Sequence, residues 1–530
     1  MSPRVAVIGG GLAGITAAIT LAEAGAAVTL LEARPRLGGA TCSFSRDGLT
    51  VDTGQHVFLG CCTAYRDLLG KLGMTAHAPV QDRFDVTVLA PGSRSAGSEG
   101  TSPKAPLTPR RGRLRRTALP GPLHMLPALG RYPFLSWSER AAVARPALAM
   151  RFVNPAEPRI DDQRFGDWLA ARGQSDRARR ALWDLFTVSA LNIAGDDASL
   201  SLAAIVIKTG LLGKNNAADI GVPARPLGEL HGDAGAALLA GLGARVHLGA
   251  KVAAIETGVV DVEPDAAVPP ASESVDDPSR PRFRVRLARA GDDTELPAEI
   301  PADAVVLAVP HETAARLIPP GALPDATVAG WAGLGASPIV NVHVIYDRPV
   351  TGLPFAAAVD SPVQWVFDRT RISGLAETGP QNSRAQYLAI SLSAADQYVD
   401  VPAATLREQF VPALADLFPA AREARVTEFF VTRERRATFR QAPGTARLRP
   451  RAATGLPGLV LAGAWTDTGW PDTMEGAVRS GLSAAAELRD TLSSVSSVLS
   501  APGLPGAGYS DSGFSGFEGN ASTPTIGVRQ

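Results

Sequence analysis

The first thirty-two residues constrain this chain more than anything that follows them. Arg4-Val5-Ala6-Val7-Ile8 is a short apolar run of β type, and Gly9-Gly10-Gly11-Leu12-Ala13-Gly14 follows it. An alanine-rich stretch of helical character then reaches Glu23, and a second apolar run, Ala27 to Leu31, ends on Glu32. Gly9, Gly11 and Gly14 form G-x-G-x-x-G between strand and helix, with a carboxylate about twenty residues on. Each part has a physical task. The glycines let backbone and pyrophosphate approach, the helix amino end offers unpaired N–H groups and a positive dipole end, and Glu32 accepts from ribose hydroxyls. The spacing predicts a βαβ unit that binds a dinucleotide, and so an α/β fold of Rossmann type.

A chain of 530 residues exceeds one ordinary core, so two or more domains are expected, with room for a large buried ligand. Its 52 basic and 52 acidic residues leave no net field, and no nucleic-acid partner is expected. Cys42, Cys61 and Cys62 cannot build a disulfide framework, and bridging the adjacent pair would strain a small ring. A reduced, cytoplasmic setting fits. The glycine-broken amino end lacks the basic region and cleavage site of a secretory leader. No other apolar run reaches the roughly 20 residues a membrane span needs. The histidines show no ligand spacing, so no metal site is expected.

After Glu32 comes Ala33-Arg34-Pro35-Arg36-Leu37-Gly38-Gly39, which resembles the FAD-binding fingerprint E-A-x-x-R-x-G-G of the amine oxidase and carotenoid desaturase superfamily. The resemblance implies FAD rather than a nicotinamide, with Arg36, Gly38 and Gly39 along the flavin diphosphate and ring. At the far end, Leu459 to Gly463 reads as a buried strand. The stretch "LAGAWTDTGWPDTMEGAVRSG" resembles the carboxy-terminal FAD motif of the same superfamily, where backbone N–H groups meet the flavin pyrimidine edge. It implies cofactor contacts at Gly463 and Met474, with Trp470 beside the ring. Where relatives often carry an acid this chain has Ala464; either Asp467 compensates or flavin affinity is weakened. Val252, in "ALLAGLGARVHLGAKVAAI", is a further cofactor-contact candidate.

Two distant segments that build one nucleotide site require the remaining chain to be inserted between them. Residues 1–90, 226–310 and 446–490 are expected to form a Rossmann-like, GR2-type FAD-binding domain from discontinuous segments. Residues 91–225 and 311–445 are expected to form an α+β substrate domain of mixed sheet plus helices. Composition marks 93–116 as a low-complexity loop, 256–282 as a mobile loop and 491–530 as a disordered tail. Arg110 to Arg116 beside the proline-broken apolar segment Leu123 to Trp137 suit contact with an anionic membrane surface; a loop leading to core helices is the alternative.

The stretch "VDTGQHVFLGCC", residues 51 to 62, holds Asp52-Thr53-Gly54, which matches the D-x-G strand end of these flavoproteins. That match places Gly54 against the cofactor, and Gln55 and His56 near the isoalloxazine or the cavity mouth. "GQHVFLGCCTAYRDLLGKLG", "LWDLFTVSALNIAGDDASLSLAAIV" and "PARPLGELHGDAGAALLAGLGARVHLGAKV" together resemble the hydroxysqualene dehydroxylase family. The resemblance implies reduction of an allylic alcohol, hydroxysqualene, to squalene. Its isoprenoid hydrocarbon is the small-molecule partner, and an electron donor, unidentified from the sequence, reduces the flavin. His56 and Gln55 are the candidates for protonating or hydrogen-bonding the departing hydroxyl, and Trp470 for stabilising the delocalised cation. A carotenoid desaturase shares "MEGAVRSG" and would oxidise a similar hydrocarbon. An amine oxidase would use Trp470 as half of an aromatic cage, and a prenyl-lipid carrier would do no chemistry. Cys61 and Cys62 read as packing residues, having neither C-x-x-C spacing nor an activating neighbour.

Overall fold

Strand β1 (Arg4–Ile8), helix α1 (Leu12–Glu23) and strand β2 (Ala27–Glu32) follow one another as a βαβ unit. β1 and β2 pair in parallel, from Arg4 opposite Ala27 to Ile8 opposite Leu31. Val5 to Ile8 are all buried, as a parallel strand covered on both faces requires. The sheet has five parallel strands in the order Leu459–Leu461, Ala304–Leu307, β1, β2, Arg245–Leu248. Its strands thus come from three widely separated stretches of chain. A three-stranded antiparallel sheet of Val252–Thr257, Phe283–Leu287 and Glu299–Ala302 stands beside this order. The helix Met474–Leu499 returns against α1, where a Cβ on Gly481 would lie 2.3 Å from the Ala13 carbonyl oxygen. The small residues of that helix are what permits the approach.

The computed structural model describes residues 2–92, 108–121, 123–257, 282–288, 297–377 and 384–499. Residues 1–492 form one compact unit. After β2, β3 (Ser43–Arg46) and β4 (Leu49–Asp52) form a hairpin whose two-residue loop, Asp47-Gly48, has φ of 48° and 81°. An Asp-Gly pair is favoured where both turn residues are left-handed. Strand β5 (Phe58–Leu59) and helix α2 (Thr63–Lys71) come next, then β6 (Asp85–Ala90) and β7 (Arg110–Arg115). These last two close a seven-stranded sheet in the order Val426–Thr438, Ser337–Tyr346, Gln386–Leu392, Trp365–Asp368, Phe355–Ala358, β6, β7. Only Phe355–Ala358 and β6 pair in parallel. Short helices, α3 (Leu126–Gly130), α4 (Trp137–Ala142) and α5 (Ala144–Met150) first among them, form an apolar layer around Tyr132, Phe134, Phe165, Trp168 and Trp183.

Three boundaries differ from those the composition suggests. β6 falls within 1–90, yet it pairs in the larger sheet rather than with β1 and β2. The segment 93–116 does not end as a loop: Arg110–Arg115 is an edge strand in which exposed Arg111, Arg113 and Arg115 alternate with buried Gly112 and Leu114. The period of two is there, but the arginines mask it. The helix from Met474 runs to Leu499, past 490, through a stretch with no glycine or proline before Pro502. Residues 93–107 and 258–281, and 500–530 of the tail, lie outside the described residues.

Candidate flavin site

The chain leaves β1 through Gly9 at φ +106°, where a Cβ would fall 2.2 Å from the Ala308 carbonyl oxygen, and a Cβ on Gly14 would lie 1.8 Å from the Gly9 oxygen. Only glycine lets the loop, the first turn of α1 and the neighbouring strand end meet so closely. Gly38 N donates to Gly10 O at 2.8 Å, and a Cβ on Gly39 would sit 2.9 Å from Gly11 Cα. The diglycine is thereby stitched to the glycine loop. No side chain caps the amino end of α1, which leaves its first N–H groups available to an anion. Glu32 is buried at the end of β2, and its carboxylate accepts from Gly10 N at 2.6 Å and Arg34 N at 2.8 Å. Each carboxylate oxygen keeps a lone pair for a ribose hydroxyl. Ala250 N donates to Glu32 O at 2.9 Å, which draws the start of the Val252–Thr257 strand, with Val252 buried, beside that carboxylate. Half-buried Arg36 touches Cys42 Sγ at 3.2 Å and has no carboxylate partner among the described residues.

The second half of the cradle is the loop between Leu459–Leu461 and Met474–Leu499. Gly463, at φ +138°, donates its N–H to Ser480 Oγ at 2.7 Å. Trp465 donates its indole N–H to Val309 O at 2.9 Å and packs edge-on against Trp331 at 4.9 Å. Arg449 holds the loop. Its Nη2 donates to the carbonyls of Ala464 at 3.1 Å, Thr466 at 2.6 Å and Trp470 at 2.7 Å, and its Nε to Trp465 O at 3.3 Å. Burial lowers the Arg449 pKa, against the opposing charges of Asp467, Asp472 and Asp161. No motif marks Arg449, and sequence reasoning missed it. Asp467 is exposed, and its carboxylate accepts from Gly469 N at 3.3 Å, closing its own turn. Met474 is half-buried, and so is Trp470, whose ring carries the Arg479 guanidinium at 4.8 Å. Asp472 accepts from Phe439 N at 2.9 Å, and burial pushes its carboxyl up to about 6.

Glu475 joins the two ends of the chain. Fully buried, it accepts from Ala64 N at 3.1 Å and Tyr65 N at 2.8 Å at the start of α2, and from Arg479 Nε at 2.8 Å. Half-buried Cys61 and Cys62 precede that helix. Their mutual hydrogen bond draws the Cys61 thiol below its ordinary value and lifts that of Cys62 well above it.

β4 ends on buried Asp52. One carboxylate oxygen accepts from Ser43 Oγ at 2.6 Å and Leu227 N at 3.0 Å, and the other receives the buried guanidinium of Arg369. A Cβ on Gly54 would lie 3.0 Å from His56 Nε2, so the glycine makes room for the imidazole. Burial lowers the His56 pKa, with Asp52 and the Ala40 carbonyl opposing in part. The ring is neutral at pH 7. Asn341 Nδ2 donates to Thr53 O at 3.1 Å, while Asn341 Oδ1 and Gln55 Oε1 are buried without a hydrogen-bond partner. Two unpaired amide oxygens therefore stand around Thr53 to His56, beside the glycine cradle and an Arg36 guanidinium with no carboxylate partner among the described residues. This donor and acceptor set fits a flavin dinucleotide and a polar group of a bound molecule. Among the described residues no cluster of His, Cys, Asp or Glu is placed to hold a metal ion.

Two further histidines are structural. His343 stacks on Phe430 at 4.4 Å, with Tyr387 Oη 2.7 Å from Nδ1 and Thr432 Oγ1 3.0 Å from Nε2. His231 lies 2.8 Å from Tyr65 Oη. Burial takes their pKa values down to about 3 and about 4. Each stays neutral in the fold and gains a proton on unfolding below about pH 6.5, so stability is full above that pH and falls beneath it, by up to about 1.4 kcal/mol per pH unit and histidine. A urea midpoint unchanged from about pH 7.5 to about pH 5 would contradict this.

The model of the family of flavin containing amine oxidoreductases matches residues 12–489. The chain is 28% identical over 495 residues to the hydroxysqualene dehydroxylase of Rhodopseudomonas palustris, covering 92% of this chain and 98% of that protein. It is 25% identical over 530 residues to the 15-cis-phytoene desaturase of Glycine max, covering 92% and 80%. Of solved structures, a putrescine oxidase superposes with a TM-score of 0.64 at 19% identity, covering 92% of this chain and 99% of that one. The cyclohexylamine oxidase of Brevibacterium oxydans gives 0.61 at 18% identity, covering 93% and 100%. The superpositions establish a shared fold: a parallel dinucleotide-binding sheet beside a mixed sheet with helices. The protein is an FAD-dependent oxidoreductase, and with a family match that runs from the first turn of α1 to the last helix, the chain belongs to the flavin containing amine oxidoreductases.

Proposed function

We propose that this enzyme replaces the hydroxyl of an allylic isoprenoid alcohol with hydrogen, converting hydroxysqualene to squalene, with the seven-stranded sheet and its helices as the substrate-binding half. The observation that carries the reading is the pair of buried, unpartnered oxygens, Gln55 Oε1 and Asn341 Oδ1, beside His56. An alcohol donates its O–H to such an acceptor. A pure hydrocarbon leaves both unpaired, at about 1–3 kcal/mol each. The dehydroxylase relatives, 28% identical and covered almost end to end, support the same substrate class.

When bound in its reduced form, FAD supplies the hydride. The chain must do the rest. Hydroxide leaves poorly, so His56 in its protonated form gives a proton to the departing oxygen, while Gln55 or Asn341 accepts from that hydroxyl and orients it. One face of Trp470 is taken by Arg479, which weakens its pull on a second cation.

The test is a single anaerobic turnover of the FAD-loaded protein, chemically reduced and mixed with hydroxysqualene. Squalene should form in step with flavin oxidation. Bleaching of the oxidised protein by phytoene, with no squalene formed, would transfer the assignment to desaturation. His56→Ala should keep its FAD and lose about 10²–10⁴-fold in turnover. Because burial lowers the His56 pKa, the wild-type rate should rise as pH falls below the ordinary histidine range. Unaltered turnover in His56→Ala removes the assignment.

A further inference from the structure

We propose that helices α3 to α5 and the turn after them form a docking face for an anionic lipid bilayer, with the protein lying on the surface. Eight large apolar side chains are exposed among the described residues, and six of them lie in one segment of the chain: Leu119, Leu123, Leu126, Trp137, Leu148 and Phe152. Trp137 is 77% exposed and Phe152 88%. Aromatic groups held so far out of a fold normally mark a contact. The helices beneath are consecutive and pack on one another. Their inner side chains, Pro146, Met150 and Val153 among them, are already buried, so Leu148 and Phe152 make a second apolar face rather than a badly packed first one. No helix among the described residues is long and apolar enough to cross a membrane.

Charge selects the partner. From Leu119 to Phe152 the chain carries Arg131, Arg140, Arg145 and Arg151 against a single acid, Glu139. That acid is engaged at the amino end of α4, accepting from Ser136 N at 2.8 Å and Ser175 Oγ at 2.6 Å. Arg131, Arg145 and Arg151 are exposed and form no hydrogen bond or ion pair with another described residue through their guanidinium groups. The basic run of β7 is different: Arg113 and Arg115 pair with Asp85, and the neighbouring Arg116 with Asp219. Free cations around protruding Trp, Phe and Leu are the composition of an interfacial anchor on anionic lipid. The contact is thereby placed on α3 to α5 and not on β7. It holds whatever the reaction, since it uses no residue of the flavin site.

The test is flotation of the full-length, FAD-loaded protein with phosphatidylglycerol-containing vesicles and with phosphatidylcholine vesicles alone. The wild type should float with the anionic vesicles and be released by salt. Trp137→Ser/Phe152→Ser should lose most of the bound fraction. Arg145→Gln/Arg151→Gln should weaken binding about thirtyfold, and Arg113→Gln/Arg115→Gln should leave it unchanged. All these positions are exposed, so thermal melting should match the wild type. Absence of wild-type flotation overturns the proposal, as does undiminished flotation of the Trp137→Ser/Phe152→Ser variant. A dimer by light scattering that this variant dissolves gives the face to a second copy of the chain and overturns it equally. Squalene formation in detergent reads the proposed reaction separately from all of these outcomes.

Discussion

Arg369→Met should lower the unfolding free energy by about 3–5 kcal/mol, the usual loss when one partner of a buried ion pair is removed. The side chains of Asp52 and Arg369 are 3% and 8% exposed, so the remaining carboxylate has no water to turn to. Ser43 and Leu227 still donate to it, but to the other oxygen. The pair also fastens β4 to the turn after Trp365–Asp368, so its loss loosens the strand that delivers Gln55 and His56. Equilibrium urea unfolding of the single variant, of Asp52→Asn and of the double variant measures this. The double variant should lose less than the sum, because no lone buried charge remains. A loss under about 1 kcal/mol for Arg369→Met would mean that the two neutral donors suffice.

The second large effect is on cofactor retention. Arg449→Met withdraws one cation from four carbonyls of the loop that precedes Met474. A hydrogen bond to a charged donor contributes about 1.5–3 kcal/mol, so even one such bond lost through the loop's geometry raises the FAD Kd about tenfold or more. Loss of all four should yield colourless protein. Arg449→Lys offers one compact ammonium in place of a planar fork and should fall between. Flavin-fluorescence titration of the three proteins decides the matter. FAD binding of wild-type strength in Arg449→Met would show that the loop keeps its shape unaided.

The βαβ cradle was legible in the sequence because its chemistry restricts residue type at each position. Gly9 and Gly14 tolerate no Cβ, and the diglycine at Gly38 and Gly39 must meet the same loop. Arg449 was not legible, since all its partners are backbone carbonyls and a carbonyl leaves no trace in residue identity. The Asp52–Arg369 pair spans 317 residues, a separation at which no pattern links an acid to a base. Asn341 hides as one polar residue in an apolar strand. β7 was obscured differently, by charge dense enough to resemble a loop or a membrane tether. Asp467, the candidate substitute for the acid absent at Ala464, is exposed and accepts from Gly469 N in its own turn.

The closure between Glu475 and the start of α2 also sets the order of events during synthesis. The carboxylate that caps Ala64 and Tyr65 is translated 411 and 410 residues after them. At about 5–20 residues per second, the amino-terminal cradle waits roughly twenty to eighty seconds on the ribosome before its cap emerges. Until Leu459–Leu461 is made the sheet keeps an open edge, at β1 before Ala304–Leu307 is added and at Ala304–Leu307 afterwards. Nascent chains therefore carry an unpaired parallel edge for most of their translation, and a message truncated ahead of Glu475 releases a product prone to aggregate.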